Sequence, residues 1–297
     1  MQAADNRPTP QRVARRATVL ALVMYRAALE QFPGRAKFES LHGRIPAWSE
    51  RLGLDAELEI KERDFLNAPL GQADEKVRVN ADWRNEGLAV LAWALQRFEL
   101  PQYDEQASPE AAGSSIGFDE DLLDRTDTAA AEQVLREAKL RPASQIDRYA
   151  THITLVNWRL RTFRLNPAVT PSVCFQRLPD GTLRPIADDA DGKNEVGFDR
   201  RRMDFARYLR AHPSFNENWL EGLRLVKNDL ALRDSSALGY FRRWYRPAGK
   251  AIGDATEGDV QTCLEIVIER HIAAYWLQGD NPVYSQVDPS TILTGLR

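Results

Sequence analysis

Cysteine is nearly absent: the 297 residues hold two, Cys174 and Cys263, each in an apolar context. That count excludes a disulfide framework and a four-cysteine metal centre, and leaves buried thiols in a reducing compartment as the reading. Histidine is scarce too. His42, His152, His212 and His271 lie far apart, with no H-E-x-x-H pair and no carboxylate at a diagnostic offset, so no metal and no cofactor is expected. The formal net charge is −3, and without a surplus of Lys and Arg a nucleic-acid partner is disfavoured. No stretch approaches the roughly 20 apolar residues of a membrane helix. The glycines of PAGKAIGDATEG lack the GxxxxGK[ST] spacing that cradles phosphate.

What is present suits a soluble globular chain. Hydrophobic residues make up 43% and charged ones 28%, ordinary values for a packed protein and wrong for disorder. Seven tryptophans and eleven phenylalanines supply bulky anchors for a core that this length can bury. Near the N-terminus Arg12, Arg15 and Arg16 precede VLALVMY, an arrangement with the outline of a signal peptide. Arg26 interrupts the apolar run, and Val13, Leu20, Val23 and Met24 recur at helical spacing after Thr9-Pro10. An amphipathic helix and a cytoplasmic location are therefore expected.

Helical signals dominate the chain. Helices are expected over 10–31, in a short piece after Pro46, over 55–66 and over 83–98, where Pro101 closes the segment. Residues 102–117 are polar and small, reading as a linker or exposed loop. TDTAAAEQVLREAKL and 142–165 read as further helices. In VCFQRLPDGTLRPIA, Pro179-Asp180-Gly181 is a turn flanked by two strand-like runs. With the acidic DDADGKNE that follows, it forms an inserted hairpin region over 167–200; that loop fails the spacing of a calcium-binding hand. Helices resume over 200–211, 215–232 and 259–277. The fold expected is mainly α: one helical domain over 1–297 with a small inserted β-hairpin region.

Two helices combine grease with charge. In DWRNEGLAVLAWAL, Asp82 reads as the N-cap and Glu86 as a first-turn carboxylate. Leu88–Leu95 are apolar on every side, and Arg84 falls on the line of Leu88, Leu91 and Leu95. In CLEIVIERHIAAYW, Arg270 shares a face with Cys263, Val267 and Ala274, while Glu269 and His271 lie on neighbouring lines. Isolated buried charge is too costly to leave unpaired. Arg84, Glu86, Glu269, Arg270 and His271 are thus read as a buried polar network that pairs across helices. The alternative gathers them around a pocket in which His271 is acid or base and Arg84 holds an anion.

WRNEGLAVLAWAL with Leu100-Pro101, the Glu62, Leu66, Pro69 and Leu70 stretch before it, RRATVLALVMYRAALE and the late ERHIAAYWL resemble the domain of unknown function 4272 family over about 10–101 and 256–279. That resemblance implies a mainly helical bacterial domain and carries no catalytic residue with it.

RRWYRPAGK interleaves basic and aromatic residues as single-stranded nucleic-acid surfaces do, but the overall charge favours a solvated helix face. Trp219, Arg242, Arg243, Trp244 and Tyr245 are instead candidate anchors of a protein interface. With no catalytic constellation in view, the sequence reads as a non-enzymatic cytoplasmic protein that binds another protein, of adaptor or immunity type. The alternative is an enzyme or small-anion binder built on the Arg/Glu/His cluster.

Overall fold

The computed structural model describes residues 6–119, 127–165, 175–177, 183–185, 231–232 and 250–289. Among them are eight α-helices: α1 (Pro10–Leu29), α2 (Ala36–Arg51), α3 (Ile60–Asn67), α4 (Glu75–Ala94), α5 (Pro109–Ser115), α6 (Ala129–Glu137), α7 (Ala143–Leu165) and α8 (Glu257–Gln278). The protein is mainly helical. The chain sorts into two compact units, one of residues 1–146 and 265–288, the other of 147–264 and 289–297.

In the first unit α1 lies along α4. Thr9 accepts the Arg12 amide at the start of α1, where proline fits the first turn. The helix then buries almost every side chain from Val13 to Leu29, Arg16 and Arg26 included, so it is a core helix and more enclosed than the expected amphipathic one. Leu88–Ala92 of α4 are inaccessible to solvent, as a segment apolar all round requires. Trp48 of α2 and Tyr25 of α1 meet the Phe118 ring edge-on, at 5.5 and 5.9 Å.

Several boundaries differ from those expected. The helix around the central apolar run begins at Glu75, capped by Asp74 through the Lys76 amide, and not at Asp82. Exposed polar residues from Glu75 onward extend it outward, and Asp82 becomes a mid-helix residue 3.8 Å from Arg78. Its other end comes early, at Ala94, because Gln96 turns to φ 63°. The helix expected after Pro46 runs from Ala36, with the proline inside. Burial of Leu41, Ile45 and Trp48 outweighs the hydrogen bond that proline removes.

Residues 102–117, read as a linker or exposed loop, are exposed at 102, 106, 108–111 and 114 but include a short helix. They hold α5, with Ala107, Ala112 and Ile116 buried. Small residues there signify close packing, which composition alone does not separate from looseness.

In the second unit Thr256 and Asp259 cap the start of α8 reciprocally, each accepting the other's amide at 3.1 Å. Phe175–Arg177 pairs antiparallel with Leu183–Pro185, and Ala231–Leu232 with Lys250–Ala251. Pairs of two or three residues do not establish the hairpin region expected over 167–200. The rest of that region, the helix over 200–211 and the helix over 215–232 apart from Ala231–Leu232 lie outside the described residues.

Candidate functional site

Arg84 and Glu86 of α4 and Glu269 and Arg270 of α8 lie in the first unit and meet in two pairs. The inner one joins Glu86 and Arg270, which are 1% exposed each. Arg270 Nε donates to Glu86 Oε2 at 2.8 Å, and Nη2 lies equally close to the same oxygen. Its remaining donors reach backbone carbonyls: Nη1 to Pro101 at 3.2 Å and Gln102 at 2.9 Å, Nη2 to Glu105 at 2.7 Å. Glu86 Oε1 accepts the Ala107 amide at 2.9 Å, and Asn85 Nδ2 donates to the Ala107 carbonyl at 2.6 Å. One guanidinium and one carboxylate thus hold the carbonyls of Pro101, Gln102 and Glu105 and the amide of Ala107, anchoring the segment against the core. Glu86 is therefore not a helix-end carboxylate answering the dipole. Burial pushes its carboxyl above the ordinary range, against the pull of Arg270 and the Ala107 amide.

The outer pair joins Arg84 Nη1 to Glu269 Oε2 at 3.0 Å, with side chains 22% and 14% exposed. Burial raises the Glu269 carboxyl, opposed chiefly by Arg84. For Arg84 burial acts downward, but Glu269, Tyr284 and Glu62 outweigh it and the guanidinium is held above its usual value. His271, almost wholly buried, lies with its ring against that of Tyr275 on the same helix, centroids 4.2 Å apart.

Three residues that sequence reasoning missed complete the cluster. Arg16 Nη1 donates to Glu62 Oε2 and to the Glu57 carbonyl, both at 2.8 Å, and Nη2 pairs with Glu62 Oε1. Tyr284, 1% exposed, sets its ring 4.6 Å from the Arg16 guanidinium carbon and 5.9 Å from that of Arg84. Its hydroxyl is buried without a hydrogen-bond partner, and burial followed by Glu269 raises the phenol above its ordinary value, against Arg84 and Arg16. A signal for Arg16 existed, since it shares a helical line with Val13, Leu20 and Val23, as Arg84 does with leucines. Tyr284 had none, because its surroundings come from segments far apart in sequence.

The candidate interface residues Trp219, Arg242, Arg243, Trp244 and Tyr245 lie outside the described residues. Among the described residues no three His, Cys, Asp or Glu side chains gather as a cation would need, and no helix is long and apolar enough to cross a membrane.

The family model described as Domain of unknown function (DUF4272) matches residues 2–178. The chain belongs to that family. Arg16, Glu62, Arg84 and Glu86 fall inside the span matched by the domain of unknown function 4272 family, while Glu269, Arg270, His271 and Tyr284 fall beyond it. The match does not reach 256–279, the second stretch where a resemblance was expected. No curated protein and no solved structure matches the chain.

Proposed function

We propose that this member of the domain of unknown function 4272 family is a non-enzymatic, cytoplasmic protein-binding protein of bacterial origin, of adaptor or immunity type. The observation that supports this reading is the closure of the Glu86–Arg270 pair. With Arg270 engaged by one carboxylate and three carbonyls, its donors are committed to holding the chain and not to a substrate. A guanidinium used in catalysis must present N–H groups toward reacting atoms. Trp219, Arg242, Arg243, Trp244 and Tyr245 remain the anchors this reading offers to a partner.

The test is cross-linking in the native host followed by mass measurement of the purified complex. A stoichiometric complex with one other protein is expected, weakened by Trp244→Ala. A chain that elutes alone under mild extraction, with no cross-linked partner, overturns the reading.

One observation favours the alternative, a small-anion binder or enzyme: the Arg84–Glu269 pair is partly open to solvent. His271→Gln separates the two. Under the partner-binding reading the variant melts lower and, once folded, forms the same complex. Intact melting with loss of a ligand response would instead support a site.

A further inference from the structure

Beyond α8 the chain leaves by Gly279, at φ +83°, where any Cβ would strike the backbone of Asn6 and Arg7. The next nine residues cross the surface of the first unit and form a short 3₁₀ turn over Tyr284–Gln286. Few of their side chains are buried. Of residues 280–288 only Tyr284 and Val287 are buried. Ser285 N donates to Glu59 Oε1 at 2.9 Å, and Arg12 Nη2 donates to the Pro282 carbonyl at 2.5 Å. Asn281 Oδ1 closes a local turn by accepting the Val283 amide.

The seat that receives Tyr284 is built without it. Arg16 is fixed by Glu62 and the Glu57 carbonyl, Arg84 by Glu269. Trp276 offers an edge-on face at 5.8 Å. At the far end Gly87 makes room, because a Cβ there would overlap the phenol oxygen. The walls are therefore preorganised for a ring, while the present ring leaves its hydroxyl unanswered. Such a group lacks what water would have given it. A preorganised receptor with an imperfect occupant, tethered through few buried contacts, opens locally more easily than the core around it.

We propose that residues 279–288 are a displaceable strap, and that the seat it vacates receives an aromatic side chain from an extended segment of a partner protein. This rests on the partner-binding reading above and names one surface for it. The ligand must bring what the strap brings: a flat ring to lie between two guanidiniums, and a backbone amide for Glu59 a residue later.

The experiment uses the full chain carrying Tyr284→Ala and a fluorescent peptide of residues 279–289. Saturable binding is expected by anisotropy. It should be abolished when the peptide's tyrosine is changed to alanine, and at least about tenfold weaker on the wild type, whose seat is filled for most of the time. Absence of binding to a folded Tyr284→Ala chain overturns the proposal, as does equal binding to the wild type. Should Tyr284→Ala fail to fold by circular dichroism, hydrogen exchange of the wild type decides. Amides of 283–287 exchanging about 100-fold faster than those of Leu88–Ala92 support the strap, and equal protection overturns it. A wild-type dimer abolished by Tyr284→Phe or Tyr284→Ala would assign the seat to a second copy and overturn the partner. If the native complex forms but excess peptide leaves it unchanged, the seat fails and the partner-binding reading stands.

Discussion

Arg270 and Glu86 show what a buried ion pair does when every donor is used. Arg270→Met removes the cation and leaves Glu86 enclosed with a carboxylate to solvate. A loss of about 3–5 kcal/mol is expected by urea unfolding. Adding Glu86→Leu should recover much of it, since a matched apolar pair carries no stranded charge; no recovery would mean that the carbonyls of 101–107 need the guanidinium itself. Gly87→Ala should cost about 1–3 kcal/mol, because the new methyl and the Tyr284 hydroxyl claim the same space. These residues were partly legible. Arg84, Glu86, Glu269 and Arg270 stand out as charges on apolar helices, and pairing follows from the cost of leaving them alone. Which carboxylate takes which cation does not follow. The expected first-turn role of Glu86 failed because the helix begins earlier, at Asp74.

Helix existence was read more securely than helix ends. Apolar periodicity located α1, α4, α7 and α8 because it reports burial, which is what makes those segments fold. Ends depend on local hydrogen bonds that compete almost evenly. Gln96 ends α4 in the left-handed region, where its amide reaches the Trp93 carbonyl and that of Arg97 reaches Ala92, a motif that usually employs glycine. The Gln96 side chain recovers a little by donating to the Leu140 carbonyl at 3.0 Å. Gln96→Gly is expected to raise the unfolding free energy by up to about 1 kcal/mol; a lower value would show that the Leu140 bond outweighs backbone strain. Arg141 guards the same end, donating to the Trp93 carbonyl at 2.8 Å with its guanidinium over the Trp93 ring.

At the scale of the molecule, the two glutamates give stability a pH dependence with a definite sign. Glu86 and Glu269 titrate above the ordinary value of 4.5 when folded, burial being the main cause. The folded state then holds more protons than the unfolded one across that interval. Their contribution is thus fully present below about 4.5 and is lost as pH rises through the raised values. Urea midpoints measured between about pH 5 and about pH 8 should fall with rising pH, and Glu269→Gln should flatten that slope. A steeper slope in the variant would reverse the assignment.

The first unit draws on both ends of the chain, residues 1–146 and 265–288. During synthesis its leading portion must wait for residues 147–264 to be made, on the order of ten seconds at typical elongation rates. Throughout that interval Glu86 has no counter-ion and 101–107 has no guanidinium to anchor it. The nascent chain therefore carries a long-lived intermediate with a stranded charge. A ribosome-bound fragment halted before residue 265 should be far more sensitive to protease and more chaperone-dependent than one released after residue 288.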